Sequence, residues 1–138
     1  MKQIYIAGSF STDEEKDLLN KMIEKVKIDY PDYNLYIPMD HFVPGGNDKD
    51  ENGNYIMPND VWAKKVFDMD VNAIDNSEMI IALYRGRYSG TGTAWEIGYG
   101  YANKIPITLY VPDNTDTTSL MIVNSATNVI SDNKFEQK

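Results

Sequence analysis

The sequence predicts an α/β fold with a parallel sheet, and three observations carry that prediction. Strand-like and helix-like segments alternate along the chain, which is typical of parallel strands joined by helices. Residues 79–84 form a continuous apolar run, Met-Ile-Ile-Ala-Leu-Tyr, as expected for a central strand covered on both faces. The 138 residues are about the length of one domain. We find no repeat, linker or low-complexity segment, so residues 1–138 are interpreted as a single domain.

The first part of the chain contains two predicted strands and one helix. Residues 3–7 form a short apolar strand. Thr12 and Glu15 have the spacing of a capping box, which predicts that a helix begins there. The helix ends near Tyr30-Pro31, and a second strand covers residues 34–37. The apolar face of the helix consists of Leu18, Leu19, Met22, Ile23 and Val26.

A long loop follows over residues 41–58, because this stretch is rich in Gly, Pro, Asn and Asp. Its segment Asp48-x-Asp50-x-Asn52-Gly53 resembles the first half of a calcium loop, but Asn59 stands where the final Glu should be. A solvated loop or a lid over a site is therefore preferred to a calcium site. Asn59 or Asp60 can cap a second helix. Its apolar face would contain Val61 or Trp62, Val66, Met69, Ala73 and Ile74.

The third strand, 79–84, leads into a glycine-rich turn over residues 89–93. The turn is predicted to open a helix at about residues 93–103, followed by a fourth strand at 106–111 and a short fifth at 128–130. Ligands of such sheets bind beyond the carboxyl ends of the strands. The loops that follow the first and third strands are therefore expected to form one pocket.

The charge of the chain argues against a nucleic-acid partner. Thirteen basic and twenty-one acidic residues give a formal net charge of −8, and a surface this negative repels phosphate backbones. A small anionic ligand in a local pocket is still compatible with that charge. The composition is 42% hydrophobic and 25% charged, close to the globular average, which argues against a disordered or collagen-like protein.

The composition also limits the kinds of site and location. The chain has no cysteine, which rules out disulfides and thiolate chemistry and fits a reducing cytoplasm. His41 is the only histidine, so a histidine-rich metal site is ruled out. No apolar run approaches the roughly 18 residues of a membrane span, and no signal-peptide pattern is present. We expect a cytoplasmic protein without membrane contact, metal or cofactor.

Glu96 is the leading candidate for a chemical role. It lies just past the glycine-rich turn, at a predicted helix start where backbone N–H groups keep a carboxylate ionised. A solvated first-turn acid is the alternative explanation. Its neighbours Ala94, Trp95, Ile97 and Gly98 are apolar or small, which is unusual around a surface acid. From this pattern alone, a functional and a structural role are equally weighted.

Four further residues are weaker candidates. Asp70 lies beside Met69, near the apolar face of the second helix, although most helix acids are simply exposed. Tyr5 lies in the first strand, where packing in the core is the alternative. His41 and Phe42 open the long loop, where an aromatic ring can stack on a base, and a surface histidine is the default interpretation.

The turn itself matches neither of two common phosphate-binding motifs. Gly90-x-Gly92 lacks the third glycine of a dinucleotide fingerprint, since Trp95 stands there, and no Gly-Lys-Ser/Thr of a P-loop follows. Its small residues still allow backbone N–H groups to approach a ligand, and a helix N-terminus favours an anion.

Four segments together resemble the nucleoside 2-deoxyribosyltransferase family, over about residues 4–130. The segment around Glu96 is the most specific of them. The segments are Ile4-Tyr5-Ile6-Ala7-Gly8-Ser9-Phe10, the helix from Val61-Trp62-Ala63 to Ala73-Ile74, Gly92-Thr93-Ala94-Trp95-Glu96-Ile97-Gly98-Tyr99, and Ser119-Leu120-Met121.

This resemblance implies a flavodoxin-like (Rossmann-like) three-layer sandwich with a five-stranded, mainly parallel sheet. It implies that Glu96 is the nucleophile, that Tyr5 orients it, and that Asp70 lies near the departing base and its proton. It also implies a homo-oligomer in which Met121 of a neighbouring chain packs beside the carboxylate. Substrates would be deoxynucleosides or nucleotides and free nucleobases. The candidate substrate-binding residues are Gly8, Ser9, Phe10, His41, Phe42, Ser89, Gly90, Gly92, Ser119 and Met121.

The chemistry of N-glycosidic bond cleavage agrees with these roles. Positive charge develops at C1′, where a carboxylate can stabilise it or trap the sugar covalently. The base leaves poorly unless an acid, or a water held by one, protonates it. A covalent sugar–enzyme that meets a second base gives exchange, and one that meets water gives hydrolysis.

Two positions depart from the transferase pattern and keep other functions open. Gly90 stands where the family often has Asp, and Ser119 stands where it often has Asn. Related nucleoside 5′-monophosphate N-hydrolases carry Ser at the second position. A 5′-phosphate would be held by Ser9, Ser89, Gly90 and Ser119. The transferase remains the first interpretation and the hydrolase the second. A non-catalytic nucleotide-binding module on the same scaffold is the third.

Overall fold

A computed structural model describes residues 2–41, 43–46, 48–86, 89–112 and 119–131. Phe42, one of the candidate binding residues, lies outside this described part. The elements in chain order are β1 (Gln3–Ala7), α1 (Asp13–Asp29), β2 (Asn34–Tyr36), a 3₁₀ turn (Pro38–Asp40), α2 (Asn59–Asp75), β3 (Met79–Leu83), α3 (Thr91–Ala102), β4 (Ile107–Tyr110), α4 (Leu120–Ser125) and β5 (Asn128–Ile130).

The five strands form one sheet in the order β2-β1-β3-β4-β5. Every neighbouring pair is parallel, so the sheet is entirely rather than mainly parallel. The predicted α/β fold and its five strands are confirmed. Because the chain moves outward in opposite directions from β1 and β3, the strand order reverses between them, and this is where ligands of such sheets bind.

Helices cover both faces of the sheet and give three layers. On one face, α1 buries Leu19, Met22, Ile23 and Val26 against Ile4, Ile6 and Ile81. On the other face, α2 and α3 contribute Ala73, Ile74 and Ile97 to a second cluster with Tyr5, Ile80 and Leu109. Successive residues of β1 point to opposite faces, so Ile4 and Ile6 enter one cluster while Tyr5 enters the other.

The start of α1 is formed as the sequence predicts. The backbone N–H of Glu15 donates to Thr12 Oγ1 at 3.1 Å, and the backbone N–H of Thr12 donates to Glu15 Oε1 at 3.1 Å. This reciprocal capping box satisfies two of the donors that a helix start leaves free.

The start of α2 differs from the prediction. Asn59 and Asp60 lie inside the helix, and Pro58 occupies the cap position without a side-chain hydrogen bond. Proline can precede a helix directly because its fixed φ directs the chain into the first turn. The structure also decides between Val61 and Trp62 for the apolar face of α2. Val61 is 52% exposed, whereas Trp62 is partly buried.

Two further features of the helices differ from the sequence prediction. Helix α3 begins at Thr91, two residues earlier than expected. Helix α4 was not predicted at all, because six residues are too few to show a helical period. Ser119 caps it by accepting a hydrogen bond from the Ile122 N–H at 3.3 Å. No helix in the described part of the chain has the length and apolar character needed to cross a membrane.

Candidate active site

A cleft of about 450 Å³ lies at the carboxyl end of β1, bounded by α2, α3 and the loop after the 3₁₀ turn. This volume is within the usual range for small-molecule sites. Seven of the residues proposed from the sequence line it, namely Gly8, Ser9, Phe10, His41, Asp70, Gly92 and Glu96. A shallower depression of about 740 Å³ follows the outer face of α2 around Lys64, Lys65 and Asp68, and contains none of the three candidate catalytic residues.

Tyr5 and Glu96 are hydrogen-bonded to each other, although Glu96 follows Tyr5 by 91 positions in the sequence. The Tyr5 hydroxyl, on the fully buried side chain of β1, donates a hydrogen bond to Glu96 Oε2. Burial, followed by the negative charge of Glu96, raises the pKa of Tyr5 above its ordinary value. Tyr5 therefore remains a protonated donor that fixes the carboxylate.

The expectation that a helix start keeps Glu96 ionised is wrong. Because α3 begins at Thr91, Glu96 lies in the second turn of the helix, beyond the free N–H groups. Burial raises the pKa of the Glu96 carboxyl to about 7, the hydrogen bond from Tyr5 partly opposes this, and the negative charge of Asp70 raises it further. Desolvation is therefore the largest influence on the pKa of this carboxyl group.

Asp70 is the second acid of the cleft and lies on α2, partly buried. Burial raises the pKa of Asp70, and His41 lowers it in part. The negative charge of Asp70 disfavours a second charge on Glu96, so the two acids of the cleft are electrostatically coupled.

Three rings stack at the side of the cleft. Tyr36 lies parallel to Tyr5, with ring centroids 5.7 Å apart, and parallel to His41 at 4.1 Å. Sequence reasoning missed Tyr36. The missing signal was strand register, since Tyr36 is the Cα partner of Tyr5 in the β1–β2 pair, and register cannot be read from a three-residue strand.

Ser9 explains why residue 90 carries no side chain. Ser9 Oγ accepts a hydrogen bond from the Gly90 N–H at 3.1 Å, and a Cβ placed on Gly90 would lie only 2.5 Å from that oxygen. An aspartate at position 90 would therefore displace Ser9. The preceding Ser89 Oγ accepts from the Arg85 N–H at 2.6 Å, so Ser9, Ser89 and Gly90 are brought together, although Ser9 alone of the three lines the cleft.

Ser119 and Met121 do not line the cleft of their own chain. They border a separate depression of about 560 Å³ between α3 and α4, together with Gly98 and Tyr101. The Ser119 N–H donates to the buried Tyr84 hydroxyl at 2.6 Å, and Met121 is 76% exposed.

The acidic loop before α2 satisfies its own backbone. Asp50 Oδ1 accepts hydrogen bonds from the N–H groups of Asn52 and Asn54 at 2.9 and 3.0 Å. Within the described ranges, no three His, Cys, Asp or Glu residues are grouped so as to hold a metal ion. The loop instead contributes Val43, Gly45 and Asp48 to the cleft wall, and α2 adds Trp62, none of which had been assigned to the site from the sequence.

Comparison with known proteins decides the family. Residues 4–135 match the family described as nucleoside 2-deoxyribosyltransferase. The chain belongs to the nucleoside 2-deoxyribosyltransferase family. The resemblance found in the sequence is thereby confirmed, and the protein is an enzyme of the deoxyribosyltransferase type. No curated protein gives a significant sequence match.

Three solved structures are similar to that of this deoxyribosyltransferase. A 2-deoxyribosyltransferase from Bacillus psychrosaccharolyticus is 27% identical with a TM-score of 0.75, and the match covers 99% of this chain and 91% of that one. The 2-desoxiribosyltransferase of Leishmania mexicana is 24% identical with a TM-score of 0.55, covering 82% and 66%. The CMP N-glycosidase BcmB of Clostridium botulinum shares the fold at 17% identity, with a TM-score of 0.61 and coverage of 98% and 93%.

Proposed function

We propose that the protein transfers a 2-deoxyribosyl group between nucleobases through a covalent intermediate on Glu96. The observation that carries the proposal is the hydrogen bond from the buried Tyr5 hydroxyl to Glu96, in a cleft that also contains Asp70. Two carboxyl groups with different surroundings are what cleavage of a glycosidic bond requires, one as nucleophile and one as acid.

In the first half-reaction, a Glu96 oxygen bonds to C1′ while the C1′–N bond breaks and its electron pair moves to the base. Protonated Asp70, directly or through a water, supplies the proton that makes the base a better leaving group. Tyr5 holds Glu96 in place and favours its ionised form. In the second half-reaction, a different base attacks C1′ and the carboxylate is released. The reaction needs no cofactor.

The protonation states required are Glu96 charged and Asp70 neutral. Both carboxyl groups have raised pKa values, in each case chiefly through burial. The hydrogen bond from Tyr5 lowers the Glu96 pKa and so favours the charged nucleophile, while burial favours the neutral form of Asp70.

The proposal includes a homo-oligomer in which Ser119 and Met121 reach a neighbour's cleft. Its support is the distribution of large exposed apolar side chains, since several lie on α2, α3 and α4, and such patches commonly mark interfaces. They are Phe67, Trp95, Tyr101, Leu120 and Met121.

The substrates would be deoxynucleosides and free nucleobases, and the cysteine-free composition supports a cytoplasmic location.

The decisive experiment mixes the protein with a deoxynucleoside and a different free base and follows both by chromatography. A new deoxynucleoside supports the transferase. Turnover restricted to 5′-monophosphates, with free base and sugar phosphate released and no exchange, would favour the hydrolase. Binding without turnover would favour a non-catalytic module.

The covalent intermediate can be tested with a 2-fluorinated arabino-nucleoside, which slows breakdown of the sugar ester. It should label Glu96 in mass spectrometry, and a label elsewhere would refute the role of Glu96.

A further inference from the structure

Trp62 links the loop that contains residues 43–46 and Asp48 to helix α2. The indole Nε1–H donates a hydrogen bond to the Val43 carbonyl at 2.8 Å. The other hydrogen bonds found for this loop, among its described residues, stay between residues 45 and 56, such as that from the Gly45 N–H to Asp48 Oδ2 at 3.2 Å. The indole therefore supplies the hydrogen bond that fixes the loop to the helix.

Two glycines let the loop backbone lie against the indole. Gly45 and Gly46 are buried and have positive φ angles of 136° and 66°, which L side chains rarely adopt. A Cβ on Gly45 would lie 2.8 Å from Trp62 Cδ1, and one on Gly46 would lie 3.4 Å from Cδ2. The loop can keep this contact only with glycine at position 45.

The same indole extends the catalytic face of α2. Trp62, Met69 and Asp70 all line the cleft. Asp70 lies eight positions after Trp62, which is about 12 Å along a helix axis. Asp70 is the α2 residue whose charge acts on Glu96, and Trp62 lies at the other end of this wall. Val43, Gly45 and Asp48 continue the wall across the cleft.

We propose that Trp62 is a positioning residue. Its contact with this loop sets the ratio in which the covalent sugar–enzyme reacts with an acceptor base or with water. The proposal rests on the proposed function. In transfer, a base nitrogen bonds to C1′, the ester bond to Glu96 breaks with its electron pair returning to the carboxylate, and the N–H proton passes to Asp70. In hydrolysis, a water oxygen forms the new bond, the same ester bond breaks, and the water proton passes to Asp70. A fixed wall retains the base and excludes water, so it favours transfer.

Four variants test the contact from both sides. Trp62→Phe keeps most of the packing but removes the N–H donor, and Trp62→Ala removes both. Gly45→Ala disturbs the contact between the loop and Trp62 from the loop side, and it leaves the indole itself intact. Val61→Ala is the matched control, because Val61 is the neighbouring residue on α2, is half-exposed and does not line the cleft.

Each variant is given a deoxynucleoside and a second base, and the new deoxynucleoside and free deoxyribose are measured separately. We expect the ratio of hydrolysis to transfer to rise about tenfold in Trp62→Ala, to rise less in Trp62→Phe, to rise in Gly45→Ala and to stay unchanged in Val61→Ala. A tenfold change corresponds to about 1.4 kcal/mol, a magnitude that the loss of a hydrogen bond and its packing can produce.

An unchanged ratio in a folded, active Trp62→Ala enzyme would overturn the inference while leaving the transferase intact. If Trp62→Ala does not fold, the ratios of Trp62→Phe and Gly45→Ala decide in the same way. If the wild-type enzyme forms no exchanged deoxynucleoside, the proposed function fails and this inference fails with it.

Discussion

At the scale of one residue, the burial of the Glu96 carboxyl group makes the stability of the fold depend on pH. Its pKa rises from 4.5 to about 7 in the folded chain. The folded state therefore binds this proton more tightly than the unfolded state does. The stability that results is fully present below pH 4.5 and is lost as the pH rises through about 7.

Glu96→Gln should consequently separate stability from activity. Transfer should fall by several powers of ten, because the amide is not a nucleophile. Above pH 7 the variant should melt at a higher temperature than the wild type, with a gain of up to about 3 kcal/mol at about 1.4 kcal/mol per pKa unit, and this gain should disappear near pH 4. Thermal unfolding and activity, measured at both pH values, check this. Glu78→Gln, at an exposed acid, is the control. Near-normal turnover of Glu96→Gln would contradict the assignment.

Tyr5 and Asp70 shift the Glu96 pKa in opposite directions, which makes a paired test possible. The Tyr5 hydrogen bond lowers that pKa and the Asp70 charge raises it. In the wild type, kcat/KM for release of the first base should decline as the pH falls below about 7. Tyr5→Phe should move this acid limb to higher pH, and Asp70→Asn should move it to lower pH. Asp70→Asn should also slow turnover, less so with bases that leave easily. Shifts of the same sign in both variants would rule out this electrostatic account.

Helix α3 contains two glycines that lie two positions apart and differ in what surrounds them. A Cβ on Gly100 would lie 2.4 Å from Ile80 Cδ1, a side chain buried in the core, whereas one on Gly98 would meet nothing within 4 Å. Gly100→Ala should destabilise the protein by about 1–3 kcal/mol through overpacking. Gly98→Ala should stabilise it by up to about 1 kcal/mol, because alanine favours a helix. Urea unfolding of both variants checks the two signs, and equal effects would mean that α3 does not pack closely on the sheet.

The sequence was informative for elements with a clear pattern. All five strands and the capping box of α1 were predicted, because apolar runs and the Thr12/Glu15 spacing are local signals. The start of α3 was not, since Thr91 and Gly92 have poor helix propensity. That shift of two residues moved Glu96 away from the helix start and altered its expected ionisation. The Trp62 contact likewise depends on how a glycine loop folds back, which no spacing predicts.

For the whole molecule, the proposed assembly predicts different responses on the two faces of the sheet. Met121→Lys on α4 should weaken the oligomer and lower activity, because a charge would be buried where Met121 meets a neighbour. Ile28→Lys makes the same change in charge on α1, where Ile28 is 61% exposed on the opposite face, and should change neither. Sedimentation velocity with parallel assays measures both effects. A wild-type chain that sediments as a monomer with full activity would refute the assembly.

The separation of 91 positions between Tyr5 and Glu96 also orders events during synthesis. A chain leaves the ribosome from its N-terminus, so β1 emerges early and can pair at first only with β2. Its other neighbour, β3, arrives about 75 residues later, as the register Ile4↔Met79 shows. Glu96 emerges after that, on a helix that must still dock. Such distant pairings form slowly, so the Tyr5–Glu96 contact forms late, and onset of turnover on a translating chain would report that the central strands have joined.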